Sequence, residues 1–210
     1  MDAPGGSRRS YIEALNWNGP QSPVFARRSF NAGNKSKLKE HVMTTDLASR
    51  VQQLEDRIAI SERVIKYAMG IDRGDWEMFA DCFTETVHID FSAAGMPASD
   101  FPRDQFVAFA RSGLSGFTAR QHLSPNHVIE FDKTDADRAI CYSYMYAQHY
   151  LPGAAGGDFF LMRGAYTNHM RRMADGWRIE SLTQHISWAE GNTGAPAEAA
   201  ARFQSKQTQA

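Results

Sequence analysis

The stretch "IKYAMGIDRGDWEMFADCFTETVHIDF" at residues 65–91 changes its hydrophobic period within a short distance. It opens with apolar residues at helical spacing and is interrupted by Gly74, the kind of residue that ends helices. "WEMFADCF" then gives a short second helix, for which Asp75 is a good N-cap, and "TVHIDF" alternates as a strand does. We therefore predict a helix, a turn, a second helix and a strand in succession.

Upstream of this stretch, the first helix is predicted to extend back to just after Met43. Its apolar residues recur every three or four positions, which is the pattern of an amphipathic helix that turns one stripe toward a core. Counting by sevens from Val51 leads to Asp72, so a carboxylate ends the stripe. The residues assigned to the stripe are Leu47, Val51, Leu54, Ile58, Ile65 and Ala68.

Downstream, strand patterns dominate after one more helix, predicted at 102–114 with a proline at its start. The segment 137–151 alternates between a tyrosine face and a second face that carries Cys141, Ser143, Met145, Ala147 and His149. The other predicted strands are 120–131, interrupted by Pro125, and 159–173 and 177–189, joined through Asp175-Gly176. This order predicts an α+β fold, a curved antiparallel or mixed sheet forming a cone with helices on one side.

The bulk composition excludes several classes of partner. A net charge of -1 gives no field that would attract nucleic acid or an anionic membrane surface. Cys82 and Cys141 lack the spacing of a zinc site, and we predict neither metal nor cofactor. No apolar run is long enough to span a bilayer, and no apolar segment follows the N-terminal Arg-Arg pairs, so we expect a cytoplasmic protein.

Three regions are predicted along the chain. Residues 1–42 carry seven Lys and Arg against three Asp and Glu and show no periodicity, which predicts a mobile extension. Residues 43–190 form the predicted domain. Residues 191–210 are rich in Gly, Ala and Gln and are predicted to be a flexible tail with at most one loose helical turn.

Three segments resemble the SnoaL-like, scytalone dehydratase-like branch of the nuclear transport factor 2-like cone folds. They are residues 65–91, "HLSPNHVIEF" at 122–131 and "GAYTNHMRRMADGWRIESL" at 164–182. The resemblance covers about 45–190. It implies a cone-shaped domain that binds a small molecule, and a homo-oligomer, either a dimer or a trimer.

The resemblance also implies a site. Dehydratase-like members pair an aspartate at the end of the first helix with a histidine that opens a central strand, and these positions are Asp72 and His122. Asn126 follows at the family spacing, Tyr67 matches a pocket tyrosine and His149 a second pocket histidine. With Trp76 and Phe91 these three complete the predicted substrate-binding set. Where some relatives have an arginine on the last strand, this chain offers only Ser181 or Thr183.

The residue types suit proton transfer. Histidine has an ordinary pKa near neutrality and can act as a general base. A carboxylate on its other ring nitrogen fixes the tautomer and stabilises the imidazolium. The alternatives are that Asp72 belongs to a turn and caps the following helix, as Asp75 can, and that His122 is an ordinary strand histidine.

These observations predict a cofactor-independent lyase that eliminates water from a small, apolar, cyclic substrate. His122 would be the base and Asp72 its orienting partner. A double-bond isomerase or a polyketide-type cyclase would use the same proton transfer. A non-catalytic ligand-binding module is the alternative from another class, since this fold is reused without chemistry.

Overall fold

The computed structural model describes residues 38–209, and within them the domain is built from four helices and seven strands. The helices are α1 (Leu38–Arg73), α2 (Trp76–Ala80), α3 (Arg103–Leu114) and α4 (Ala195–Thr208), with one 3₁₀ turn at Ser92–Ala94. The strands are β1 (Phe83–Phe91), β2 (Met96–Pro102), β3 (Ala119–Leu123), β4 (Val128–Phe131), β5 (Arg138–Tyr150), β6 (Phe159–Met173) and β7 (Gly176–Gly191).

The strands form one curved, unclosed sheet in the order β2-β1-β7-β6-β5-β3. β3 and β4 pair with successive stretches of β5. β1 and β7 run parallel, whereas the other pairs are antiparallel, so the sheet is mixed. The long strands β5, β6 and β7 are antiparallel neighbours in the sheet, and β6 and β7 form the hairpin that the Asp175-Gly176 signal predicted. The predicted α+β class with a curved mixed sheet is confirmed.

The core lies between the helices and one face of this sheet. Cys141, Ser143, Met145, Ala147 and His149 of β5 are all buried. They meet buried residues of the helices, among them Ile60, Val64, Phe79 and Phe106. Period-two alternation along β5 therefore separated the two faces correctly, and the structure shows that the core covers the face without the tyrosines.

Helix α1 buries a different face from the one predicted. Leu47, Val51, Leu54, Ile58 and Ile65 are exposed, with 44–63% of their surface accessible. Ile60, Val64, Tyr67 and Ile71 pack in the core instead, and of the predicted stripe only Ala68 is buried with them. The helix has two apolar faces, and the sequence pattern does not indicate which of them the sheet covers. The helix also begins at Leu38, before the predicted start at Met43.

The predicted flexible tail at 191–210 is wrong for most of its length. α4 is a helix with Pro196 in its first turn, where proline is tolerated. Ala195 and Ala199 are fully buried against Phe117, Leu151 and Phe160. The contact is so close that a Cβ on Gly116 would lie 1.7 Å from the Ala199 carbonyl oxygen.

β2 was not predicted, because its sequence "MPASDFP" contains two prolines. It is an edge strand that pairs only with β1, and edge strands tolerate proline. Most of the segment 1–42 lies outside the described residues, and the predicted domain boundaries stay a prediction. None of the helices described combines the length and the apolar character that a membrane crossing requires.

Candidate active site

The end of α1 fixes the position of Asp72. Gly74 adopts a φ of +66°. The N–H of Gly74 donates to the Ile71 carbonyl at 3.1 Å, and the N–H of Asp75 donates to the Gly70 carbonyl at 2.9 Å. These two bonds form the Schellman motif, in which glycine supplies the left-handed residue. Asp72 therefore lies in the last turn of a helix whose end is defined by two hydrogen bonds.

Asp75, and not Asp72, caps the next helix. An Asp75 carboxylate oxygen accepts a bond from the Met78 N–H at 2.9 Å, at the start of α2. The two aspartates of "DRGD" thus have separate roles. The alternative of Asp72 as a helix cap is excluded, because its carboxylate accepts hydrogen bonds from β3 instead.

Asp72 and His122 are hydrogen-bonded to each other through three contacts. The His122 backbone N–H donates to the Asp72 carboxylate at 2.8 Å to Oδ2 and 3.1 Å to Oδ1. The imidazole Nδ1 lies 2.6 Å from Asp72 Oδ1. Only 6% of the His122 side chain and 23% of the Asp72 side chain are exposed. An ionised carboxylate only accepts, so Nδ1 carries a proton, and in the neutral imidazole Nε2 then has the lone pair.

β3 directs the imidazole toward the core. His122 lies opposite Ala147 of β5 in an antiparallel register, and directly opposed residues project to the same face. Ala147 is fully buried. The His122 imidazole therefore lies on the buried face of the sheet, and only 6% of its side chain is exposed.

His149 is the second histidine on this face. Its ring lies 5.2 Å from that of His122 and is nearly perpendicular to it. The side chain packs against Phe117 and Phe160. Burial, followed by the nearby His122, lowers the pKa of His149 to about 3. His149 is thus neutral near pH 7, and its Nδ1 is buried without a hydrogen-bond partner among the described residues.

Arg120 belongs to the same region and was missed by the sequence analysis. Its guanidinium donates to the Ile71 carbonyl at 3.0 Å and the Leu114 carbonyl at 2.6 Å, and lies 3.5 Å from the Asp72 carbonyl. It therefore joins the C-terminal ends of α1 and α3, where carbonyl groups lack helical partners. Burial lowers its pKa, while the Asp72 charge opposes the shift. The only signal in sequence was its position two residues before His122.

Three of the predicted substrate-binding residues lie in an aromatic cluster. Tyr67 and Trp76 contact Phe79, with ring centroids 5.4 Å and 5.7 Å away, and Phe91 lies 6.2 Å from Phe106. Tyr67 is buried, its ring packs against that of Tyr166 with centroids 5.8 Å apart, and its pKa is raised well above the ordinary value, chiefly by burial. These side chains belong to the hydrophobic core and its margin.

Asn126 lies apart from the other predicted residues. It is exposed in the turn between β3 and β4 and has a φ of 63°. Asparagine tolerates this left-handed conformation better than most residues, and the preceding Pro125 favours a turn. Its spacing from His122 therefore has a structural explanation in the turn.

A cavity of about 360 Å³ opens at the carboxylate side of the pair. It is lined by Asp72, Ala119, Arg120, Gln121, Gln148 and Tyr150. A larger depression of about 520 Å³ lies elsewhere, around Arg138, His169 and Glu180, and contains neither member of the pair. We assign the candidate site to the smaller cavity because Asp72, the hydrogen-bond partner of His122, lines it. Among residues 38–209, no three His, Cys, Asp or Glu side chains converge as metal ligands.

Comparison with known proteins identifies the family. The SnoaL-like domain matches residues 52–183, which is more than half of the chain. The chain belongs to the SnoaL-like family. The resemblance seen in the three sequence segments is confirmed.

Two solved structures and one further protein are similar to this chain. A Kribbella flavida protein is 31% identical, with a TM-score of 0.63 over 70% of this chain and 99% of that chain. A hexachlorocyclohexane dehydrochlorinase from Novosphingobium barchaimii is 16% identical and shares the fold, with a TM-score of 0.56 over 69% of this chain and 95% of its own. An uncharacterized Mycobacterium tuberculosis protein is 26% identical over 61% of this chain and 84% of its own.

Proposed function

We propose that this SnoaL-like protein is a cofactor-independent lyase that eliminates water from a small, apolar, cyclic substrate. The observation that carries the proposal is the 2.6 Å contact between His122 Nδ1 and the Asp72 carboxylate in a largely buried place. A fold shared with an enzyme named a dehydrochlorinase is consistent with an elimination.

In the proposed reaction, His122 Nε2 takes a proton from a carbon next to an activating carbonyl. The electron pair of the C–H bond becomes the new double bond, and the C–O bond to the hydroxyl group breaks. The imidazolium gives its proton to the departing oxygen, which leaves as water, so the base is restored. Asp72 keeps Nδ1 protonated and stabilises the imidazolium as it forms.

His149 is the group best suited to stabilise negative charge on the substrate. A neutral imidazole can donate a hydrogen bond, and a donor already held in a dry site costs little reorganisation. Tyr67, the other candidate, packs edge-on against Tyr166 in the aromatic cluster, with ring centroids 5.8 Å apart, and does not line the cavity beside Asp72.

The test is a screen of monocyclic and bicyclic β-hydroxy ketones, in which formation of a conjugated enone is followed by its absorbance. His122→Ala should lower kcat by roughly two to four orders of magnitude, the usual contribution of a general base. The matched control is His88→Ala, because His88 also contacts an aspartate but on the exposed side of the sheet.

Turnover that survives both His122→Ala and Asp72→Asn would contradict the catalytic role. If ligand binding persisted in those variants, the protein would be a binding module. A substrate that is rearranged without loss of water would favour the isomerase reaction with the same base.

A further inference from the structure

Residues 46–55 of α1 are not covered by the described part of the domain. Every residue from 46 to 55 is exposed, all the way around the helix. A helical segment of this length is marginal in water when nothing packs against it. This segment therefore needs a partner that its own sheet does not provide.

The exposed apolar residues of α1 form a second, continuous stripe. We call Leu47, Val51, Leu54, Ile58 and Ile65 the α1 seam. At 100° per residue, its centre lies roughly a third of a turn away from the face that packs on the sheet. An exposed apolar stripe that adjoins a core face marks an interaction surface.

The spacing of the α1 seam is that of a coiled coil. Steps of four, three and four residues lead from Leu47 to Ile58, and a further seven lead to Ile65, with Ser61 at the position between. In heptad notation Val51, Ile58 and Ile65 are a residues, whereas Leu47 and Leu54 are d residues. β-Branched residues at a with leucine at d favour two parallel strands.

The charges beside the α1 seam also favour two parallel helices. Arg50 and Arg57 occupy g positions, and Glu55 and Glu62 occupy e positions. In a parallel pair each g residue faces the e residue five positions later on the other helix, so both arginines would meet glutamates. An antiparallel pair would bring like charges together. Arg57 donates one N–H to the Ile129 carbonyl and has further N–H groups that can bind a glutamate.

We infer that two copies of this chain associate through the α1 seam as a parallel, in-register, two-stranded coiled coil. The contact is about three heptads long, and about 27 Å separates its ends at 1.5 Å per residue. An interface of this size forms a reversible dimer rather than an obligate one. The apolar residues supply the association, and the e and g charges set its direction.

A cysteine placed in the seam tests the pairing directly. In a parallel, in-register dimer Val51→Cys lies opposite its own copy, so air oxidation should give a covalent dimer of the full-length chain. Gln53→Cys is the matched control, since it is exposed two residues away but points off the seam and should stay monomeric on a non-reducing gel. The native Cys82 and Cys141 are buried and do not compete.

Sedimentation velocity gives the second test. Between about 1 and 100 µM the wild-type chain should shift from monomer to dimer, as mass action requires. Leu54→Lys with Ile58→Lys should abolish that shift without unfolding the domain, since both side chains are exposed. Tyr144→Lys, on the exposed sheet face, should leave it intact.

The charge arrangement predicts a smaller effect. Arg50→Glu should weaken the dimer roughly three- to tenfold, and adding Glu55→Arg in the same chain should restore it.

The inference is overturned by a monomer throughout the concentration range, by a dimer that Tyr144→Lys dissociates and the seam variant does not, or by equal cross-linking of the two cysteine variants.

Discussion

Two His–Asp pairs in this domain have nearly the same geometry and very different surroundings. His122 Nδ1 lies 2.6 Å from Asp72, and His88 Nδ1 lies 2.7 Å from Asp100. The exposed fractions of the side chains are 6% and 23% in the first pair, and 47% and 72% in the second. A short contact alone therefore does not distinguish a candidate base from a surface pair.

The difference comes from the elements that hold each pair. His88 and Asp100 are cross-strand neighbours on the solvent side of the β1–β2 hairpin, where water screens the interaction. Asp72 is fixed at the end of a helix and contacts His122 of β3, fifty positions later, at one edge of the sheet. Shielding from water strengthens that contact and holds the imidazole in one orientation.

The largest effect that separates the pairs should come from their carboxylates. Asp72→Asn should lower kcat by about two to four orders of magnitude, because an amide can hold the wrong imidazole tautomer. Asp100→Asn should change kcat less than twofold. Steady-state kinetics on a substrate found by the screen measures both. Equal losses in the two variants would mean that burial does not distinguish the pairs.

His149, beside the Asp72–His122 pair, should make the free energy of unfolding depend on pH. Its folded pKa of about 3 lies below the ordinary 6.5, so the unfolded chain binds more protons between these values. This residue's contribution is fully present above pH 6.5 and is lost as the pH falls toward 3, by up to about 1.4 kcal/mol per pH unit.

His149→Phe should therefore flatten the acid limb of the stability curve, measured by urea unfolding between pH 7 and 4. The exposed His185 provides the control, and His185→Gln should leave the slope unchanged. An unaltered slope in His149→Phe would mean that His149 titrates normally and is not desolvated.

Removal of the arginine beside Asp72 should have a moderate effect. Arg120→Met removes the side-chain donor to the Ile71 and Leu114 carbonyl groups at the ends of α1 and α3 and should cost about 1–3 kcal/mol in the free energy of unfolding. Because it also loosens the helix end that carries Asp72, kcat should fall more than KM rises. Arg120→Lys should restore part of both. A loss of stability with unchanged kcat would limit Arg120 to a structural role.

The smallest effect should come from the exposed pair. His88→Ala should change the free energy of unfolding by less than about 1 kcal/mol, since exposed ion pairs contribute little. Thermal and urea unfolding measure this change. A larger loss would show that the β1–β2 edge contributes more to the fold than its exposure indicates.

Much of the site followed from local sequence. "GIDRGD" identified a helix end, a glycine turn and a cap, and alternation on β5 placed His149 on the face opposite the tyrosines. The prediction of Asp72 nevertheless used an incorrect step, because it extended a stripe that is exposed. Asp72 reaches His122 through the Schellman ending of α1, which is a consequence of Gly74 and not of the stripe.

Three misinterpretations share one cause. The wrong face of α1, the unpredicted role of Arg120 and the docked α4 all depend on which surfaces meet in space. Small residues such as Ala195 and Ala199 give no hydrophobic signal, yet they are buried because Gly116 allows close approach. For Asn126 the sequence analysis attributed to the site a spacing that the local turn conformation explains.

The sequence alone determined the succession of helices and strands, the breaks between them and the two faces of each long strand, because these depend on neighbours a few residues apart. Only the tertiary structure decided which face of α1 is covered, which His–Asp pair is shielded from water and where the C-terminal helix docks. Those outcomes depend on contacts between distant segments, and an apolar or acidic residue has the same local pattern whether or not such a contact forms.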